Sequence, residues 1–128
     1  MQRGDVFWSR THYPPTGAAQ AHMVILIRTP LPTEVEVPVV VCTTDKFPNR
    51  DVRPYELKFP KGHASCFKRP TVVDVRAPSV SVVSQLQGEG DPIYQLNTDE
   101  ILLLDSAIID AYELALPPSA QVIQISTR

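Results

Sequence analysis

The stretch VVVCTTDKFPNRDVRPYELKF, residues 39–59, decides how the rest of the chain is read. β-Branched residues run into two hydroxyls, Thr43 and Thr44. A polar, basic segment follows and closes on the alternating YELKF at 55–59. Valine-rich runs bounded by turn formers read as strands. Two strands therefore flank a basic loop, and the first of them ends in a pair of threonines.

Working outward, the same grammar continues on both sides. VEVPVVVCT (35–43) carries Pro38, which a strand tolerates only near its start or at an edge. HMVILIR (22–28) is a continuous apolar run too short for a good helix, hence a buried strand. GDVFWSR (4–10) has strand composition and is ended by Pro14, Pro15 and Gly17. Downstream, PKGH (60–63) is a tight turn into ASCFK (64–68). TVVDVRA (71–77) and SVSVVSQLQ (79–87) read as two strands, or one bent strand broken at Pro78. GEGDP (88–92) is a turn and IYQL (93–96) a short strand.

The period then changes from two to 3.6. In NTDEILLLDSAIIDAYELA, Ile101, Leu104, Ile108 and Ala111 or Tyr112 fall on one helical face. Asn97 is placed to cap the helix, with Glu100 three residues on to reach back, and Asp99 and Glu100 suit the positive end of the dipole. Pro117 and Pro118 stop it. The expected architecture is mainly β, a small antiparallel barrel of about six or seven strands with a C-terminal α-helix, occupying residues 1–116. Residues 117–128 are open to three readings: an extra strand, a partner-binding arm, or disorder.

A length of 128 residues suits one domain, and 43% apolar with 20% charged residues suits a soluble globular one. Thirteen prolines against five glycines favour short strands with stiff connections. No apolar run approaches the ~20 residues of a membrane span, and MQRGDVFW lacks the apolar core of a secretory signal. Cys42 and Cys66 are too few for a disulfide scaffold and wrongly spaced for zinc, so they are expected as small buried side chains in a reducing cytoplasm. The net charge of −2 speaks against indiscriminate nucleic-acid binding. From Lys46 to Arg76, however, eight basic residues face three acidic ones, a local +5 that leaves −7 for the remainder. Such asymmetry fits a polyanion-binding surface or simply a solvated basic face.

Several quoted segments, in their order, resemble the MazF/PemK/Kid family of bacterial toxins. RGDVFW is similar to the family's first strand, and TGAAQAHMVILI to its KGSEQxGxRPAVVLS with a shorter loop. VPVVVCTT resembles the strand ending in VPCTT, YELKF stands for FEVxL, TVVDVRAP for SVVRCDQPR, and IYQLNTDEILLL for the last strand and terminal helix. The resemblance spans roughly residues 4–116. It implies an SH3-like barrel that forms a homodimer, and a cytoplasmic endoribonuclease cutting single-stranded RNA at short sequences. It further implies a 2′,3′-cyclic phosphate route with no metal or other cofactor, and silencing by a cognate antitoxin protein. Such chemistry needs a proton acceptor and donor, a cation, and hydrogen-bond donors to the phosphate oxygens.

On that resemblance the expected catalytic residues are His22, Thr43, Asp74 and Arg76. The expected RNA contacts are Gln20, Thr44, Lys46, Arg50, Arg53 and Lys58. Three departures stand out. His22 occupies the place of the family's arginine; it can carry a proton near neutral pH but lacks arginine's permanent charge and fork of donors. The family's acidic residue in the preceding loop is replaced by Ala18 and Ala19, though Gln20 keeps a polar neighbour. Asp74 and Arg76 reverse the Arg-x-Asp order of some members, yet residues two apart share one strand face, so Asp74 as base and Arg76 as phosphate clamp can form one site. Each has a plainer counterpart: strand-ending threonines that cap a turn, a histidine at a strand mouth, a surface ion pair worth little. His12, Tyr13 and His63 fall in loops, where they suit base stacking or phosphate contact, or carry no duty at all. Phe7 and Trp8 read as core or dimer interface. The alternative function is a catalytically impaired barrel that binds nucleic acid or protein; a third is a topoisomerase poison on a related barrel.

Overall fold

The computed structural model describes residues 1–10, 21–76 and 78–115, with only the backbone of Leu114 and Ala115. Seven strands and two helices follow in order: β1 Asp5–Ser9, β2 His22–Leu26, β3 Glu36–Thr44, β4 Glu56–Phe59, β5 Thr71–Asp74, β6 Ser79–Val82, α1 Val83–Gly88, β7 Tyr94–Gln95 and α2 Thr98–Ala115. The strands form one curled antiparallel sheet in the order β4-β5-β3-β2-β1-β7, with β6 joined to β3.

Nine residues make β3 the spine. Its first half pairs with β6 (Glu36↔Val82 to Val39↔Ser79) and its last three residues with β5 (Cys42↔Val73 to Thr44↔Thr71). Its other edge pairs with β2. Pro38 sits third in the strand, and its carbonyl still accepts a bond from the Ile27 amide at 3.2 Å.

The continuous apolar runs of β2 and β3 are explained by burial on both faces of the sheet. One face, with Val6, Ile25, Val40, Cys42, Leu57, Phe59 and Val73, closes around Phe67 and receives Leu104 and Ala107 of α2. The other, with Phe7, Val24, Leu26, Val37, Val39 and Val41, is covered by Val83 and Leu86 of α1. The helical face expected on α2 is present, with Leu104 fully buried, Ile101, Ile108 and Ala111 packed at its margin, and Ala107 added to it. Tyr112, the alternative to Ala111, is 58% exposed. Gly4 takes φ +86°, and a Cβ there would meet Ile101 Cδ1 at 3.3 Å, so glycine serves both the backbone and the close approach of α2.

One expectation is corrected. SVSVVSQLQ is a strand only to Val82; from Val83 it turns into α1. Val80 and Val82 face solvent on the strand, whereas Val83 and Leu86, three residues apart, bury together on one helical side. The capping box is as expected: the Asn97 side chain accepts from the Glu100 amide at 2.8 Å and Glu100 accepts from the Asn97 amide at 2.9 Å. The tail from 117 onward, and the loop holding His12, Tyr13 and Gln20, lie outside the described residues.

Candidate functional site: the open end of the barrel

Antiparallel alternation brings the end of β1, the start of β2, the end of β3 and the start of β5 to the same edge of the sheet. A cavity of 660 Å³ opens there. Its apolar wall is Trp8, Met23, Cys42, Cys66 and Ile93, and its polar groups are His22, Thr43, Thr44, Ser65, Lys68, Arg69 and Thr71. Trp8 is 44% exposed, unusual for an aromatic on a central strand, and the opening is what exposes it. Phe7, next to it, points the other way into the core.

The registers fix which expected residues meet. The β2–β3 ladder runs to Val24↔Val41, and its continuation by two residues leads from His22 to Thr43, both of which line the cavity. Ser9 pairs with His22, and Thr43 with Val72. Ser9, His22, Thr43 and Val72 thus form one row on one face. Asp74, two residues beyond Val72, is the diagonal neighbour of Thr43 on that face, a separation of about 7–8 Å in antiparallel sheets. The row meets the cavity at His22 and Thr43; Asp74 and Arg76 lie beside the row and outside the cavity lining.

The electrostatic condition of these groups differs. Nε2 of His22 is buried with no hydrogen-bond partner among the described residues. Thr43 Oγ1 donates to the Val72 carbonyl at 3.3 Å, a long bond that leaves its lone pairs open. Lys68 and Arg69 are exposed at the cavity, and among the described residues neither is in an ion pair. Arg76, in contrast, grips Asp74 through Nε at 3.1 and 3.2 Å and Nη2 at 2.7 Å, and stacks 3.8 Å above the Tyr55 ring. Partial burial raises the Asp74 pKa, but the Arg76 bonds outweigh it and hold the carboxyl below its ordinary range. Burial, with the nearby Cys66, pushes the Cys42 thiol up to about 12, so Cys42 behaves as an apolar side chain.

The basic loop is less free than its composition suggests. Lys58 Nζ donates to the carbonyls of Phe47 (3.0 Å) and Arg50 (2.6 Å) and pairs with Asp45 at 3.2 Å. Arg50 binds both oxygens of Glu56. Lys58 and Arg50 therefore shape the 45–56 loop. Lys46, Arg53 and Thr44 remain exposed, and among the described residues neither cation is in an ion pair. Lys68, Arg69 and Trp8 were not singled out as site residues. The +5 segment contained the two cations, but only the return of residues 60–70 to the cavity distinguishes them.

No protein-family model matches the sequence, and no curated protein matches it. Solved structures do match. An endoribonuclease in complex with its cognate antitoxin, from a mycobacterial species, aligns with a TM-score of 0.61 and 16% identity over 91% of this chain and 99% of that one. The Mycobacterium tuberculosis toxin MazF-mt6 aligns at 0.59 and 18% identity, over 88% and 99% of the two chains. The fold is the MazF fold. A further mycobacterial endoribonuclease aligns at 0.59 and 16% identity, over 91% and 95%. At such identities the likeness lies in the path of the backbone, and side chains are judged from this chain's geometry. In this MazF-fold barrel the open end is where a histidine whose Nε2 has no partner among the described residues, and two cations in no ion pair with them, stand together with a strand-end hydroxyl.

Proposed function

We propose that the chain is a MazF-type toxin, an endoribonuclease that cuts single-stranded RNA and is restrained by an antitoxin protein. The observation that supports this best is the row that leads from His22 to Thr43 at the mouth of a cavity edged by Lys68 and Arg69. A buried ring nitrogen without a partner is costly unless a ligand supplies one. An RNA phosphate and its adjoining 2′-hydroxyl would supply it.

In the proposed reaction the 2′-hydroxyl attacks the adjacent phosphorus, the bond to the 5′-oxygen breaks, and a 2′,3′-cyclic phosphate remains. His22 accepts the 2′ proton, and the departing 5′-oxygen takes up a proton from solvent water and leaves as the 5′-hydroxyl. Thr43 exchanges its long bond to Val72 for one to a non-bridging oxygen. Lys68 and Arg69 balance the phosphate charge, and Lys46, Arg53 and Thr44 extend the track for the RNA backbone. Asp74, held ionised by Arg76, is a weak base; its role in the proposal is to orient Arg76. Trp8 offers a face for an unpaired base. The route calls on no metal, the active form is a homodimer, and the setting is the cytoplasm. Among the described residues no helix is long and apolar enough to cross a membrane. The barrel and its helix are proposed as one domain through residue 116, with 117–128 as an appended tail.

The test is cleavage of a long unstructured RNA in EDTA by the parent protein and by His22→Ala prepared identically. Fragments ending in 2′,3′-cyclic phosphate with the parent, reduced at least about 100-fold in the variant, support the proposal. Equal cleavage by both sinks it. RNA retained but uncut by folded, antitoxin-free protein selects the binding-module alternative, for which the replacement of arginine by His22 is the supporting observation.

A further inference from the structure

A second polar cluster lies away from the cavity. His63, in the turn after β4, places Nε2 2.7 Å from Glu100 Oε2 and 3.3 Å from the Tyr94 hydroxyl. Tyr94 donates to Glu100 Oε1 at 2.7 Å, and the same oxygen accepts from the Asn97 amide. Phe59, Phe67 and Tyr94 present their rings edge-on to the imidazole at 5.4, 5.7 and 5.8 Å. Glu100, 8% exposed, thus caps α2 and binds the turn at once. The helix needed only the cap. The bonds from His63 and Tyr94 are additional, and they tie the segment 60–70 to the start of α2.

What the tie acts on lies within six residues of His63. Residues 60–70 contain no helix or strand, and the same segment delivers Ser65, Cys66, Lys68 and Arg69 to the cavity. Between the two ends Phe67 is buried, stacked on Phe59 at 4.7 Å. The far end is held by the Asp45 amide on the Pro70 carbonyl, 2.8 Å, and the Thr71 hydroxyl on the Arg69 carbonyl, 3.0 Å. Lys68 and Arg69 themselves are not in ion pairs with described residues, so the backbone that carries them sets their position.

We propose that the His63–Glu100–Tyr94 cluster is a clasp whose members are positioning residues: it holds the 60–70 segment so that Lys68 and Arg69 face the cavity, and its loss weakens RNA binding through those two cations. The RNA part rests on the function proposed above; the positioning part does not. Cys66 separates them, because it lies between the clasp and the cations, is partly shielded, and reports the segment's placement without any RNA.

The experiment measures two quantities in the parent, His63→Ala and Glu100→Gln. The first is the rate of alkylation of Cys66 by N-ethylmaleimide at fixed pH, with buried Cys42 as the silent thiol. The second is affinity for a 2′-O-methylated, uncleavable oligoribonucleotide across a salt series, repeated in a Lys68→Ala/Arg69→Ala background. Releasing the clasp is expected to raise the Cys66 rate about tenfold, through local opening of the segment. Affinity should fall about five- to tenfold with a shallower salt dependence. In the double-alanine background the clasp variants should cost nothing more, since both changes act through the same cations. An unchanged Cys66 rate overturns the clasp whatever RNA does. Affinity losses that multiply in the combined variants overturn its action through Lys68 and Arg69. If His63→Ala does not fold, Glu100→Gln carries the test, because glutamine retains acceptors for Tyr94 and the Asn97 amide. A parent protein that binds no RNA sinks the proposed function, and the Cys66 rate then decides the clasp alone.

Discussion

The two histidines among the described residues are in opposite conditions. His63 is fully engaged, bonded to Glu100 and Tyr94 and ringed by three aromatics. His22 has a buried ring nitrogen with no partner among the described residues, near a threonine whose hydroxyl makes a long bond to the Val72 carbonyl. A satisfied buried network stabilises and orders a fold, whereas an unsatisfied group at a cavity is tolerated only where something else completes it. The cations divide the same way: Lys58, Arg50 and Arg76 are in ion pairs, whereas Lys68 and Arg69 pair with none of the described residues. The difference separates architecture from site more sharply than residue type does.

The contrast can be broken hardest on the architectural side. Phe67 is 1% exposed, stacked on Phe59 and edge-on to Tyr94. Phe67→Ala should cost about 3–5 kcal/mol, read as a shifted denaturation midpoint with the m-value kept. At the cavity the sign should differ. His22→Ala is expected to lower RNA cleavage by about 10²–10⁴-fold while changing the melting temperature little, because its Nε2 bonds no described residue. A His22→Ala protein that unfolds as readily as Phe67→Ala would show His22 to be architecture as well. Between these extremes, Lys68→Ala with Arg69→Ala should weaken binding to single-stranded RNA and flatten log Kd against log salt by about 0.7 for each phosphate contact removed. Lys58→Ala should instead destabilise the 45–56 loop and raise its amide exchange.

How far this division was legible in the sequence depends on the range of the interactions. The helix cap was legible because Asn97 and Glu100 are three residues apart and their bonds are local. The buried strands were legible because burial on both faces leaves no polar alternation. That His22, Thr43, Asp74 and Arg76 belong together was expected from resemblance, and strand periodicity paired only Asp74 with Arg76; β5 ends at Asp74, so Arg76 meets it from the following turn. α1 was misread since Val80 and Val82 alternate like a strand until Val83 and Leu86 take over on a single helical turn. The sorting of cations was not legible at all. Lys58 is neutralised by Asp45 and two carbonyls of a loop that folds back on it, and His63 meets Glu100 across 37 residues. Such partners are products of the fold.

The smallest expected effect sharpens the comparison through pH. Among the carboxyls held below their ordinary range are Glu100 at the clasp and Asp74 beside the site. For Glu100 burial pushes upward, but bonds from the Asn97 amide, Tyr94 and His63 pull further downward. A carboxyl depressed in the folded state adds stability above its unfolded pKa and loses that share as pH falls through the folded value. Glu100→Gln should therefore be less stable than the parent at neutral pH, with the gap closing from about pH 5 downward. Asp74→Asn should follow the same course with a smaller gap, because its pair with Arg76 is 40–50% exposed and screened by water, against 10% exposure of the Glu100 side chain. Urea midpoints across pH for the two variants measure both gaps. If the Asp74 gap is the larger, the pair beside the site belongs with the architecture, and the boundary drawn here between the two regions moves to the cavity itself.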